Sequence, residues 1–280
     1  MKGIPEQIQT WLDGRAWEEN YIGMSGSRVL TAKDRVLKIQ RVSPEADNEY
    51  RVCRWLAHKI PVPEILAYEI VGDKACCLMT RISGKMICED TYMKDPERLL
   101  EIVCQGLRML WEVDITDCPC DSTLDVQLKV ARYNVENGLV DLDNVEEETF
   151  GENGFSGPEE LLRWLETNRP PEEPVFSHGD FSMPNIFADG DRISGFIDLG
   201  KAGKADRWQD LAICYRSLKH NFEGRYNGGF PYPGYHPDML FENSFLLSAR
   251  LVFEELSKIS PCSPLFAAEC RQEKGTSNEK

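Results

Sequence analysis

The sequence predicts an α+β protein of two lobes: an N-terminal antiparallel sheet with one helix, then a larger and mostly helical C-terminal lobe. Apolar residues alternate with polar ones in short runs from about Tyr21 to Arg81, the period of strands. Beyond Gly84 the apolar spacing changes to three and four residues, the period of helices. The chain of 280 residues is 41% hydrophobic, enough for one large core or two smaller ones.

Taken in order, Ser27–Ala32 and Arg35–Gln40 flank Lys33-Asp34, and Ile65–Val71 and Lys74–Met79 flank Gly72-Asp73, so each pair reads as a hairpin. Between the hairpins Ser43 can cap and Pro44 can start a helix that runs to about Ala57, where Pro61-Val62-Pro63 forbids its continuation. These elements make a first lobe of residues 1–83. In the second, residues 84–270, Pro96–Trp111 carries the helical period and Asp206–Ser217 reads as a helix with Asp206 as its N-cap. Glu146–Gly157 interrupts the helical run, and the Gly- and Pro-rich Gly228–Pro237 reads as an irregular loop. Arg271–Lys280 holds no apolar residue and is expected to be a flexible tail.

A net charge of −15 opposes contact with nucleic-acid phosphates or anionic membranes and favours a polycationic partner. Neither a membrane-length apolar run nor a signal-peptide segment is visible, so a cytoplasmic protein is expected, with no nucleic-acid or membrane partner. The ten cysteines fall largely in apolar runs and read as reduced core residues; Cys118-Pro119-Cys120 lacks a second pair at zinc spacing.

The chemistry concentrates in Phe176-Ser-His-Gly-Asp-Phe-Ser-Met-Pro-Asn-Ile-Phe187 and Ser194-Gly-Phe-Ile-Asp-Leu-Gly200. Asp180 and Asn185 stand five apart, the interval of the kinase catalytic loop, and Asp198 precedes Leu-Gly where such enzymes carry a metal-binding Asp. Asp180 can take a proton from an attacking hydroxyl, while Asn185 and Asp198 offer the hard oxygens that Mg2+ prefers beside phosphate. Lys38 lies in an apolar strand and must either snorkel or pair with an anion. Glu49, on the helical face of Val52, Cys53 and Leu56, can point inward to hold it. Gly23-Met-Ser-Gly26 with Ser25 and Ser27 is either an ordinary hairpin turn or a phosphate-facing one. His178 reads as loop support, and Asp210 either satisfies backbone N–H groups of the loop or stands exposed.

These segments, with Val36-Leu-Lys38, Trp55-Leu56, Pro61-Val-Pro63, Asp114-Ile-Thr-Asp-Cys-Pro119 and Ala205–Cys214, resemble the aminoglycoside 3'-phosphotransferases over roughly Leu12 to Gly224. The resemblance implies a protein-kinase-like fold and an enzyme that uses ATP and Mg2+ to phosphorylate a hydroxyl of a polycationic aminoglycoside. It also implies roles. Asp180 matches the catalytic Asp, Lys38 with Glu49 the phosphate-binding ion pair, and Asn185 with Asp198 the metal ligands. Thr80 and Ile82 match the linker backbone that meets adenine. Asp143 and Glu146 match acidic acceptor-binding positions, and Lys201 and Arg216 a basic pair that also binds the acceptor. The chain departs from the family in Lys219-His220-Asn221, where acidic residues are usual, and in its C-terminal residues. The other reading is a related kinase acting on a different amino or hydroxyl compound.

Overall fold

In Arg35–Arg41 alternate side chains must leave on opposite faces, and the fold uses both. The computed structural model describes residues 4–20, 27–143, 145, 149–152 and 154–224. It places this strand, β3, within a five-stranded sheet together with β1 (Glu18–Asn20), β2 (Arg28–Thr31), β4 (Ile65–Val71) and β5 (Lys74–Thr80). The order is β1-β2-β3-β5-β4 and every pairing is antiparallel. Both predicted hairpins are present. Leu30, Leu37, Ile39, Cys76 and Leu78 form a small core on one face with Ile4 and Ile8, the latter on the one-turn helix α1 (Glu6–Gln9). β1 and α1 go beyond the sequence reading; Glu18-Glu19-Asn20 is an edge strand with no apolar alternation to reveal it.

Helix α2 (Pro44–Leu56) crosses the other face. Ser43 caps it by accepting from the Ala46 N–H at 3.1 Å, and Pro44 occupies the first turn, where its missing N–H costs nothing. Such a cap contributes about 1 kcal/mol to helix stability. The buried face of α2 is Ala46, Glu49, Val52, Cys53 and Leu56. The last three side chains belong to the large core of the second region, so α2 lies against both parts of the chain.

That larger core gathers Leu99, Ile102, Val103, Leu107 and Leu110 from α4 (Pro96–Trp111), behind the short α3 (Asp90–Met93). Gly106 in α4 leaves room for Phe181, whose ring would lie 3.0 Å from a Cβ there. Helices α5 (Leu124–Glu136) and α6 (Pro158–Thr167) pack on each other, and α7 (Arg207–Phe222) closes the core with Leu211, Cys214, Leu218 and Phe222. Five short strands complete the region. β6 (Lys85–Met86), β8 (Ile186–Asp189) and β9 (Arg192–Phe196) make one sheet, and β7 (Pro174–Ser177) pairs with β10 (Gly203–Asp206) in another.

The cysteines of the described residues are free thiols, all buried except the half-buried Cys118. Among the described residues no helix is long and apolar enough to cross a membrane. The predicted loop Gly228–Pro237 and the tail 271–280 lie outside the described residues.

Candidate active site

Two strand pairings assemble the site from distant sequence. In β7–β10, Ser177 stands opposite Gly203, so residues 178–180 after β7 and Lys201 before β10 leave at the same end. In β8–β9, Ile186 stands opposite Phe196, so Asn185 and Asp198 also share an end. The Ile197 N–H donates to the Asn185 carbonyl at 3.0 Å, which brings the two candidate metal ligands together.

The turn through His178-Gly179-Asp180 requires glycine at its centre. Gly179 has φ +75°, and a Cβ would stand 2.1 Å from the Lys201 carbonyl oxygen. Asp210 fixes this turn from below. Wholly buried on α7, its carboxylate accepts from the N–H of His178 at 2.8 Å and of Gly179 at 3.0 Å. Burial pushes its pKa up to about 6 in spite of these donors and the Ser177 hydroxyl. The sequence left Asp210 open between this role and an exposed one; the structure places it inside.

Ser217, seven residues further and therefore on the same helical face, accepts from the Met183 N–H at 2.9 Å. Sequence reading missed it, although a serine among Leu211, Cys214 and Leu218 on a core-facing stripe is a visible signal. His178 is fully buried and sits edge-on to Phe181 and Phe196. Its Nδ1 accepts from the Asp180 N–H at 3.3 Å, so the neutral ring carries its proton on Nε2. Burial lowers its pKa against the pull of the Asp180 and Asp198 carboxylates. A neutral ring therefore supports the loop, as its position between apolar residues suggested.

Asp180 is half-buried, with its carbonyl accepting from Asn185 Nδ2 at 3.1 Å. Asn185 Nδ2 also donates to Ser182 Oγ at 3.1 Å, so both its protons are engaged and Oδ1 is the atom left for a cation. Asp198 has φ +62°, a left-handed conformation that costs an L-residue about 1 kcal/mol, and its side chain is 44% exposed.

Lys38 leaves β3 on the face of α2, where it pairs with anions rather than snorkelling to solvent. Its Nζ stands 2.9 Å from Glu49 Oε2 and 2.7 Å from Asp198 Oδ1. Burial would lower the Lys38 pKa, but the two carboxylates outweigh it and hold the ammonium charged beyond its ordinary range. Burial raises the pKa of Glu49, with Lys38 opposing. Asp198 ends below the usual carboxylate range because Lys38 overcomes its burial. Two carboxylates on one ammonium leave an excess negative charge at Asp198, facing the end where Asn185 lies.

The other predicted positions vary. Ser27 Oγ lies 3.3 Å from Gln40 Oε1, and Gln40 Nε2 donates to Glu49 Oε2 at 3.4 Å, which joins Ser27 to the Lys38 face of the sheet. Thr80 ends β5, its N–H donating to the Glu64 carbonyl at 2.9 Å. A Cβ on Gly195 would meet Ile82 at 2.7 Å, so Ile82 packs flat against β9. Lys201 is exposed, near enough to lower the Asp198 pKa. Arg216 is exposed on α7, and Asp143 lies in an exposed turn with its N–H donating to Asp141 Oδ1. No hydrogen bond or ion pair among the described residues joins Asp143 to Asp180, Asn185 or Asp198. Ser25 and Glu146 lie outside the described residues.

This geometry coincides with a known family: the family model of the phosphotransferase enzyme family matches residues 22–232. The chain belongs to that family. Among curated relatives, this phosphotransferase is 38% identical to an aminoglycoside 3'-phosphotransferase of Enterococcus faecalis, over 63% of its own length and 67% of the relative's. It is 34% identical to one of Niallia circulans, over 81% and 88%. Among solved structures it resembles an aminoglycoside phosphotransferase from Streptomyces rimosus, with a TM-score of 0.67 and 22% identity over 93% of each chain. The N-terminal sheet, α2 and the helical second region are thus those of the kinase-like fold.

The donors at the site suit Mg2+. Asn185 Oδ1 and the carboxylate of Asp198 are hard oxygens, and among the described residues no group of three or more His, Cys, Asp or Glu could enclose a metal by itself. Mg2+ is ordinarily held by one or two carboxylates together with water and substrate phosphate.

Proposed function

We propose that this phosphotransferase uses ATP and Mg2+ to phosphorylate a hydroxyl, the 3'-hydroxyl, of an aminoglycoside. The observation that carries the reading is the chain Glu49–Lys38–Asp198, set beside Asn185 and the Asp180 turn. The curated relatives bear the name of this activity, and the Streptomyces rimosus protein has a structure in complex with ADP and streptomycin.

In this reading residues 1–83 form the nucleotide lobe and 84–270 the catalytic and acceptor lobe. Lys38, held by Glu49, places its ammonium on the nucleotide phosphates, while Thr80 and Ile82 present backbone to the adenine, and the hydroxyls of Ser25 and Ser27 are assigned to phosphate binding. Asn185 and Asp198 would hold Mg2+, which neutralises charge developing on the phosphates. Asp180 accepts the proton of the attacking hydroxyl and orients that oxygen, a role that places it at the reacting atoms. Asp143 and Glu146 attract the protonated amines of the acceptor, and Lys201 and Arg216 complete the acceptor site as a basic pair. The same charge excess suits a cytoplasmic enzyme that draws in a polycation.

An ADP-release assay with purified full-length chain tests the reading. Kanamycin and neomycin should drive release well above background, and tobramycin, which lacks the 3'-hydroxyl, should not. Strong turnover of tobramycin contradicts the 3' position. Turnover of another amino or hydroxyl compound alone, with none on kanamycin or neomycin, replaces the acceptor class.

A further inference from the structure

Glu49 is not the only residue of α2 that reaches the Asp198 segment. Its neighbour Asn48 donates from Nδ2 to the carbonyl of Gly200 at 2.9 Å and to that of Ala202 at 2.8 Å. Those carbonyls lie within and just after a 3-10 turn, Leu199–Lys201, that follows the left-handed Asp198 and is capped by Ala202, whose N–H is bonded back to Leu199. A turn so short leaves its last carbonyls without backbone partners, and the two amide protons of Asn48 supply two.

The helix also lies close against this turn. A Cβ on Gly200 would stand 3.1 Å from the Glu45 carbonyl oxygen, so the glycine lets α2 approach. Consecutive residues of one helix therefore hold the same segment from two sides. Glu49 acts through Lys38 on the Asp198 side chain, and Asn48 acts directly on the backbone two and four residues later.

We propose that Asn48 is a positioning residue for phosphoryl transfer, which locks α2 and the 198–202 turn into one unit. The inference rests on the function proposed above. Its consequence is that the Lys38–Glu49 pair and the Asp198 carboxylate stand in register before any ligand arrives. The backbone at Asp198 is held in a left-handed conformation, which a neighbouring restraint must maintain. With Asn48 in place the direction of the carboxylate is fixed at both ends; without it the segment relaxes about Asp198 and the metal oxygen drifts from Asn185. Misplacement of a reacting group by about 1 Å can cost on the order of a hundredfold in rate.

The test uses full-length Asn48→Ala and Asn48→Asp with three readouts: kcat, hydrogen exchange of the peptide spanning residues 198–203 without ligand, and the Mg2+ concentration that half-saturates binding of a non-hydrolysable ATP analogue. Asn48→Ala should lower kcat about tenfold or more while the acceptor KM changes little, as for a lost positioning contact. Exchange of the peptide should rise and the Mg2+ requirement should increase severalfold. Asn48→Asp keeps the shape but sets a carboxylate against two carbonyl oxygens, so it should be worse than Ala in all three. A space-filling role gives the opposite order, with Asp near the parent and Ala impaired, and overturns the proposal. Parent-like exchange and Mg2+ dependence in both variants also overturn it. Exchange and analogue binding need no acceptor, so they remain decisive if the parent protein turns over no aminoglycoside and the functional reading itself has failed.

Discussion

Replacing Asp180 with Ala should lower kcat by about two to four orders of magnitude while leaving nucleotide and aminoglycoside affinities close to those of the parent. The expectation follows from where the residue sits. Its backbone is fixed on both sides, by His178 Nδ1 at its N–H and by Asn185 Nδ2 at its carbonyl, so removing the side chain leaves the turn in place. The ion pair Lys38–Glu49 does not involve Asp180. Asp180→Asn keeps the volume but cannot accept the hydroxyl proton as a base, so it should be as poor as Ala if proton transfer matters and much better if orientation alone does. Steady-state kinetics with calorimetric binding of a non-hydrolysable ATP analogue measure both quantities; unchanged turnover in the Ala variant removes Asp180 from the mechanism.

Asp210→Ala should have the largest effect on stability. It leaves the buried His178 N–H without its acceptor, at about 1–3 kcal/mol for an unsatisfied group, and the Gly179 N–H with the Ser177 hydroxyl at 3.1 Å in place of two acceptors. The damage should also reach catalysis, because these two residues carry the turn that presents Asp180. Thermal unfolding and kcat should therefore fall together, unlike in Asp180→Ala, where stability should hold. A wild-type melting temperature in Asp210→Ala contradicts the account of the turn.

The buried carboxyl adds a pH signature whose sign is fixed. Its folded pKa, raised to about 6, lies above the ordinary carboxylate value, so the folded state binds the proton more tightly than the unfolded one. Its contribution to stability is thus fully present below the unfolded value and is lost as pH rises through about 6. Asp210→Asn does not ionise and escapes this loss. The stability gap between parent and Asn variant should therefore narrow between pH 5 and pH 7.5 by about 1 kcal/mol. A gap that widens over the same interval would show that the carboxylate form is the favoured one.

What could be read from sequence followed from periodicity and interval. The Lys33-Asp34 and Gly72-Asp73 turns, the Ser43 cap and the helix at Pro96 each carry a local signal, and all stand where that signal puts them. The Asp180–Asn185 interval likewise marks a loop whose ends are strands. Supporting contacts were harder to see because they join segments far apart in the chain. Asn48 meets Gly200 across 152 positions, and nothing about an asparagine on a polar helix turn announces such a partner. Asp210 lay between the two cases: its place on an apolar helix face raised the question, and only burial decided it. β1 escaped because an all-polar edge strand has no alternation to detect.

The most direct measurement is the site of phosphorylation. Purified full-length chain, ATP, Mg2+ and kanamycin should yield a product in which phosphorus–proton coupling by NMR places the phosphate on the 3'-carbon, with ADP released in equal amount. A phosphate at any other position, or kanamycin recovered unchanged while the folded protein binds ATP, would contradict the account.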